Sequence, residues 1–179
     1  MKLMELLNDE SEQMIDDAVV ALRRARLKHY EEKDETTIRA RVATLYRHTV
    51  ESIGRRDLTN LVRYADAISR IRYEEGFGLR ELQTAFNVLE EAIWRRVLKC
   101  VDDEEIIDAL GLVSTALGVG KDRLACSYLE HARGIPPASL DQRALFSGTE
   151  NRHPVEERVV RGRDHPGQGT NRSARSCEA

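Results

Sequence analysis

Two amphipathic helices joined by a short glycine-containing segment constrain the possible folds of this chain more than any other feature of its sequence. Apolar residues recur at three- and four-residue intervals on both sides of segment 72–79, the spacing of a buried helix face. They are Leu58, Leu61, Val62, Ala65 and Ile68 before the segment, and Leu79, Leu82, Phe86, Leu89, Ile93 and Val97 after it. The pattern predicts two helices between Asp57 and Val97 that share one core, with Asp57 accepting from the free amides at the start of the first.

The joining segment is expected to act as a hinge. Gly76 follows the first of these helices, where a left-handed backbone conformation costs a residue without Cβ little. Phe77 is expected to fold back and contact Ile71, and the next helix is expected to begin directly after Gly78. We therefore assign Gly76 and Gly78 as hinge residues.

Three further helices are predicted from the same periodicity. The first spans about 9–32 and begins at Asp9, which is placed to cap it. The second spans about 36–53 and ends at Gly54 in a left-handed conformation, and the last spans about 103–132. Together with the hairpin these helices predict an all-α fold with five main helices.

The apolar period ends near residue 134, and the composition of the chain changes there. Residues 1–134 are expected to form one helical sensor or interaction domain. Pro136 and Pro137 then interrupt the helix, and a short linker helix is predicted within 135–147. From 148 to 179 Gly, Pro, Arg and Ser replace the apolar residues, so this tail is predicted to be disordered.

Composition argues against several classes of function. The net charge of −3 gives no basic surface of the kind that neutralises nucleic-acid phosphates. The three cysteines are widely spaced and form no Cys-x-x-Cys pair, which favours reduced thiols. An export signal and an apolar stretch of the roughly 20 residues that cross a bilayer are both missing. We expect a cytoplasmic protein that binds neither nucleic acid nor membrane.

Motifs for metal binding and catalysis are also missing. None of the helical histidines His29, His48 and His131 has a Glu three residues before it, and His-Glu-x-x-His does not occur. Adjacent acidic residues diverge by about 100° around a helix. We assign no catalytic residue, no metal ligand and no cofactor, and we expect a protein that is not an enzyme. His29 and His131 each lie one heptad after a core leucine. Together with Tyr128 they are the candidates for contact with a ligand.

A stripe of small residues runs along the last predicted helix at seven-residue intervals, beside a parallel stripe of leucines. The small residues are Gly111, Gly118, Ala125 and Ala132. Small side chains in register allow helices to approach closely. The stripe indicates packing inside the chain, a kink near Gly118, or a self-association face for which Gly111, Gly118 and Ala125 are the candidate residues.

Two segments of the chain carry a distinctive set of charged residues. The first is ISRIRYEEGFGLREL over residues 68–82, in which the charged positions include Arg70 and Arg72. The second begins with Lys121, Asp122 and Arg123 and continues to Tyr128 and Leu129. Together the segments resemble the N-terminal domain of RsbT co-antagonist proteins of the RsbR and RsbRD type. The resemblance extends from Leu3 to Arg133.

The resemblance implies an all-α, globin-like fold without haem, usually dimeric, that receives a signal and passes it to an output domain. No anti-sigma antagonist domain or kinase core follows the helices here, so we expect the output partner to be a separate polypeptide of one of these types. The expected function is that of a homodimeric stress-response signalling module.

Two alternatives to this function stay open. One is a helical adaptor protein that binds a partner without sensing a signal. The other is a haem- or metal-binding sensor of the globin type, although haem needs an axial ligand and residues 57–101 contain no histidine.

Overall fold

The computed structural model describes residues 1–134, and every regular element in that range is an α-helix. The seven helices of this range are α1 (Leu3–Asp9), α2 (Ser11–Arg24), α3 (Lys28–Glu31), α4 (Glu35–Arg55), α5 (Thr59–Glu74), α6 (Leu79–Cys100) and α7 (Ile106–Arg133). The predicted all-α class is therefore confirmed for the described residues. The predicted linker helix over 135–147 and the predicted tail over 148–179 lie outside them. None of the described helices is long and apolar enough to span a membrane.

Helix α7 is the central element of the bundle. It packs against α5 and α6 and also reaches α4. Helix α2 lies on α6 and α4, and the short α1 contacts the same two helices. Although α5 and α6 are neighbours along the chain, they contact each other little. They share one core, as predicted, because α7 packs on both of them.

Gly120 is a point of close approach between α5, α6 and α7. A Cβ atom at Gly120 would lie 2.8 Å from Cε1 of Phe86 in α6 and 3.5 Å from Cγ of Leu61 in α5. Both of these side chains are buried. Because glycine leaves room for them, α7 can approach the other two helices more closely than an alanine at this position would allow.

The first predicted helix is divided in the structure. Helix α1 ends at Asp9 and α2 begins at Ser11, so the prediction that Asp9 begins and caps a helix is wrong. The chain then turns at Arg26, which has a left-handed conformation with φ +48°, before the short α3. Periodicity could not detect the first break because the core residues Leu7 and Met14, on either side of it, are one heptad apart.

The predicted end of the second helix at Gly54 is also wrong. Helix α4 continues past Gly54, and Arg56 is the residue that adopts the left-handed conformation, with φ +52°. A Cβ atom at Gly54 would lie 3.1 Å from Cε of Met4, so this glycine makes room for the side chain of an α1 residue. The predicted role of Asp57 is confirmed, since its Oδ1 accepts from the amide of Thr59 (2.9 Å) at the start of α5.

Candidate functional site

The turn between α5 and α6 has the backbone geometry expected from its first glycine. Gly76 has φ +84°. The amide of Phe77 donates to the carbonyl of Arg72 (2.9 Å), and the amide of Gly76 donates to the carbonyl of Tyr73 (3.0 Å). These two bonds form a Schellman motif, which ends α5 and redirects the chain. The left-handed conformation is confirmed, while the role of Gly76 and Gly78 as hinges stays a prediction.

Glu81 ties this turn to α3. Its carboxylate accepts hydrogen bonds from the amide of Gly78 (2.9 Å), from the amide of His29 (3.0 Å) and from Nδ1 of His29 (2.7 Å). Burial by itself raises the pKa of Glu81, but these bonds favour the charged form and hold the pKa below its usual value. Since an ionised carboxylate only accepts, the hydrogen of this bond is on Nδ1 of His29.

The ring of Phe77 is the buried centre of the turn. It is 1% exposed, and its centroid lies 4.8 Å from the ring of His29 and 5.4 Å from that of Tyr30. The hydroxyl of Tyr128 in α7 donates to the carbonyl of Phe77 (2.9 Å). Ile71, the predicted partner of Phe77, is 44% exposed. The ring of Phe77 therefore packs on α3 and its carbonyl is bonded to α7, while its contact with Ile71 stays a prediction.

Two guanidinium groups lie over the same ring. The Cζ atoms of Arg41 and Arg72 are 5.4 Å and 5.6 Å from the centroid of Phe77. Oε2 of Glu75 contacts both, at 2.6 Å from Nη1 of Arg72 and 3.5 Å from Nη2 of Arg41. Nη1 of Arg41 is buried and finds no hydrogen-bond partner among the described residues. Burial, followed by repulsion from Arg72, lowers the pKa of Arg41.

A largely enclosed cavity of about 30 Å³ lies beside the two arginines. Helices α2 to α6 all contribute to its wall, which combines Arg41, Arg72, Tyr30 and Tyr64 with apolar side chains such as Phe86. No carboxylate of residues 1–134 lines it. Burial raises the pKa of Tyr64 to about 12 and also raises that of Tyr30. Both phenols therefore stay protonated at neutral pH and are able to donate hydrogen bonds.

A second depression, open and about 380 Å³ in volume, lies between α5 and α7. This α5–α7 groove brings Arg70 of α5 together with Arg123 and His131 of α7. Arg123 forms ion pairs with Asp66 and Glu130, whereas Arg70 is exposed. The groove is lined mainly by charged groups, which suits contact with another charged surface.

The predicted small-residue stripe lies on the side of α7 opposite the buried residues. A Cβ atom at Gly118 would meet no heavy atom of residues 1–134 within 4 Å, and Gly111 and Ala125 are partly exposed. Helix α7 continues without interruption through Gly118. Close packing between helices of the described chain occurs at Gly120 instead, so self-association is the interpretation of the stripe that stays a prediction.

The motif residues of the second segment have different surroundings. Nζ of Lys121 contacts Glu90 (2.7 Å) and Asn87 (3.2 Å), both in α6. Asp122 is exposed to solvent. Lys121 therefore links α7 to α6, on the side opposite the α5–α7 groove that contains Arg123.

The three predicted ligand-contacting residues are not brought together. His29 and Tyr128 both contact Phe77 at the α5–α6 turn, through its ring and its carbonyl respectively. His131 is exposed at the end of α7, where its ring lies 6.2 Å from that of Tyr73. Across residues 1–134, no group of three or more His, Cys, Asp or Glu side chains is placed to hold a metal ion.

Tyr30, Arg41 and Tyr64 escape sequence-based prediction because they come from three helices and no spacing along the chain relates them. One signal was available in α4. Arg41 lies between Ile38 and Leu45 at the spacing of the buried face, where a charged residue interrupts the apolar period. Such an interruption indicates either a buried ion pair or a polar site inside the core.

A family model matches most of the helical part of this chain. The model describes the RsbT co-antagonist protein rsbRD N-terminal domain, and it matches residues 12–143, which is more than half of the chain. No curated protein and no solved structure matches the chain. The matched range contains α3 to α7 and all of α2 except Ser11, and with them the arginine pair, the cavity and both surfaces of α7.

Proposed function

The chain belongs to the family of RsbT co-antagonist N-terminal domains, and we propose that it acts as a dimeric, non-catalytic module of stress-response signalling in the cytoplasm. In this proposal it binds a protein of the anti-sigma antagonist or kinase type and changes its helix packing when a signal is bound. One observation carries the proposal. It is an exposed apolar surface, here called the α6–α7 face, formed by Trp94, Leu98, Ile107, Gly111 and Gly118.

Large apolar side chains on the α6–α7 face are exposed to solvent. Trp94 is 39% exposed, Leu98 is 58% exposed and Ile107 is 74% exposed. Single apolar residues are common on protein surfaces and need no explanation. A contiguous apolar patch is different, because such patches mark interaction sites on most monomers.

An ion pair fixes the register of the two helices and makes this surface continuous. Lys121 of α7 contacts Glu90 of α6, and a short connection makes the helices antiparallel. Trp94 follows Glu90 by one turn, and Gly118 precedes Lys121 by nearly one turn. This register places Trp94 and Gly118 at similar heights on the adjacent helices, and Leu98 follows Trp94 by about one turn of α6.

The occupant that we propose for the α6–α7 face is a second copy of the chain. A two-fold axis would place this face against itself, so that each exposed apolar side chain meets another. The small residues Gly111, Gly118 and Ala125 would let the two α7 helices approach closely. Lys121 and Asp122 carry opposite charges at the middle of the stripe, and a two-fold axis can pair them across the interface.

The mass of the full chain in solution tests the dimer, with Gly118 as the position to change. Since space at Gly118 is open, both Gly118→Arg and Gly118→Ala are compatible with the fold of one protomer. Sedimentation equilibrium should give a dimer for the wild type and for Gly118→Ala, and a monomer for Gly118→Arg with an unchanged circular dichroism spectrum. Trp94 is the only tryptophan of the chain, so its emission should shift to the red on dilution. A monomeric wild type, or a Gly118→Arg dimer, would contradict the proposal.

The α5–α7 groove is the surface that we propose for the protein partner. Arg63 and Arg70 are exposed there, and neither has an ion pair within residues 1–134. An acidic surface of the partner would supply the missing negative charge. Arg63 and Arg70 lie two turns apart on α5 and could contact one acidic helix or loop.

Co-purification from the native host tests the partner. The full wild-type chain should retain a kinase or an anti-sigma antagonist, and Arg70→Glu should lose it. Arg80→Glu is the matched control, because Arg80 is an exposed arginine of α6 outside the groove. Equal recovery with all three chains would place the contact elsewhere. Recovery of neither protein class would remove the support for a signalling partner.

A further inference from the structure

The enclosed cavity beside Arg41 has the chemistry of an anion-binding site. We infer that it takes a small monovalent anion, and that a carboxylate matches its donors best. This inference deepens the proposed function by giving the chemical class of the signal. Only the role of the anion as a signal rests on the proposed function. Binding of the anion to the cavity requires neither the dimer nor the protein partner.

The balance of charge around the cavity is the first argument. Arg41 and Arg72 both line it, while Glu75, the one carboxylate of residues 1–134 that contacts them, is outside the wall. The side chain of Glu75 is 37% exposed, whereas those of Arg41 and Arg72 are 18% and 16% exposed. Two largely buried positive charges thus share one carboxylate at the surface, and an anion in the cavity would balance the second charge.

The arrangement of donors is the second argument. Nη1 of Arg41 is buried without a hydrogen-bond partner among the described residues, which is costly for a charged donor. Tyr30 and Tyr64 both line the same cavity, and their phenols are donors at neutral pH. Within residues 1–134, the lining side chains therefore include guanidinium and phenol donors and no carboxylate, which is the complement of a carboxylate ligand.

The size of the cavity limits the ligand. A water molecule needs about 10–15 Å³ of such space, and the cavity has about 30 Å³. Formate, nitrate and chloride are therefore of the right size. The cavity is far smaller than the roughly 300–1,000 Å³ of sites that hold cofactors or drug-sized molecules. A larger ligand would require the apolar wall at Leu45 and Phe86 to move.

The position of the cavity connects binding to the α5–α6 turn. Arg41 belongs to α4 and Arg72 to the last turn of α5, and both guanidinium groups lie over Phe77 of the turn. An anion held between them would reduce their mutual repulsion. Binding is therefore expected to stabilise the contact between α4, α5 and the turn.

Thermal unfolding of the full chain with three sodium salts tests the inference. Formate, nitrate and chloride are titrated at constant ionic strength, with sodium sulfate as the balancing salt because its divalent anion is too large for the cavity. Formate should raise Tm in a saturable manner, by at least about 5 °C at a hundred-fold excess over its Kd. A larger rise with formate than with nitrate and chloride identifies a carboxylate. Equal rises support a monovalent anion but overturn the preference for a carboxylate.

Three variants separate the cavity from general effects of salt. Arg41→Met should abolish the rise in Tm, and Tyr64→Phe should weaken formate binding at least three-fold while keeping the shape of the wall. Arg39→Met is the control, because Arg39 lies on α4 but pairs at the surface with Glu12 and Asp16. It should respond to formate as the wild type does.

Some outcomes would overturn the inference. They are the lack of a saturable rise with any of the three anions, and a response that Arg41→Met and Tyr64→Phe both retain. If Arg41→Met does not fold, Tyr64→Phe alone decides, since it removes one hydroxyl only. Failure here is distinguishable from failure of the proposed dimer, because the mass of Gly118→Arg does not depend on the anion.

Discussion

The close approach at Gly120 allows us to predict how alanine substitutions in α7 change the stability of the junction of α5, α6 and α7. In an exposed helix interior, replacing glycine with alanine stabilises the folded state by about 1 kcal/mol. Gly118→Ala should show this gain within one protomer, because its new Cβ meets no atom of residues 1–134. Gly120→Ala would place its Cβ 2.8 Å from Cε1 of Phe86, whose ring is 1% exposed and has little room to move.

The expected difference between these two variants follows from opposing effects at Gly120. Overpacking a close-packed core by one carbon costs about 1–3 kcal/mol. The gain in helix propensity offsets about 1 kcal/mol of that cost. Gly120→Ala should therefore be less stable than Gly118→Ala by about 1–3 kcal/mol, although the same atoms are added two residues apart on one helix.

Urea denaturation at one protein concentration measures the difference, and a double-mutant cycle with Phe86→Leu locates its cause. Phe86→Leu alone should cost about 1–2 kcal/mol because it removes buried atoms. In the Gly120→Ala background it should cost less, since the clashing ring edge is gone, with a coupling of about 0.5–2 kcal/mol. Equal stability of Gly118→Ala and Gly120→Ala, or additive effects in the cycle, would refute this account of the junction.

Substitutions at three other positions test the contacts around the turn and α1. Gly76→Ala places a Cβ on a residue with a left-handed backbone and should lower the free energy of unfolding by about 1 kcal/mol in urea titrations. Gly76→Asn should lower it less, because Asn tolerates this conformation better. Equal losses for the two variants would show that the left-handed conformation is not the cause. The pKa of Glu81 is depressed in the folded state, so its contribution is present at neutral pH and is lost as pH falls below its usual value of 4.5. Glu81→Gln should therefore lose less stability than the wild type between neutral pH and pH 3 in thermal melts, and parallel curves would contradict this. Tyr46→Phe removes a hydroxyl that donates to the carbonyl of Leu7, which should cost about 1 kcal/mol and accelerate hydrogen exchange in α1; unchanged exchange would show that this bond does not hold α1.

Local features of the fold could be predicted from the sequence because they depend on neighbouring residues. The helix face from Leu58 to Ile68 is periodic, and Gly76 is the residue that a Schellman motif favours. The errors arose where tertiary contacts override the same local rules. Gly54 is also of the residue type that commonly ends a helix. It nevertheless lies within α4, where it makes room for the side chain of Met4 of α1. Arg56, a residue with a Cβ, takes the left-handed conformation instead.

Gly118 and Gly120 show why a site made by several helices cannot be predicted from one sequence. Both lie in the same Gly-Val-Gly stretch, and nothing local distinguishes their surroundings. The register of α7 against α5 and α6 places one toward solvent and the other against Phe86 and Leu61. The cavity could not be predicted for the same reason, since Arg41, Tyr30 and Tyr64 meet only after α3, α4 and α5 have packed.

Phe86 connects the proposed anion site to the proposed dimer face. Its ring lines the cavity and is also the closest neighbour of the Cβ position at Gly120 in α7. Formate fits the cavity without a large movement of this ring, but because the ring lies so close to Gly120, even a small displacement of the ring by the bound anion would shift α6 against α7. The α6–α7 face, which includes Trp94 and Gly118, would then change shape.

Such a shift alters dimerisation only if the anion binds the two packings with different affinity. Linkage then requires a reciprocal effect, in which formate changes the Kd of the dimer and dimerisation changes the Kd of formate by the same factor. Sedimentation of the full chain with and without formate measures the first factor, and formate titration above and below the dimer Kd measures the second. Phe86→Leu should bring both factors toward one while formate still binds. A dimer Kd that formate leaves unchanged in the wild type would show that the cavity and the face are independent.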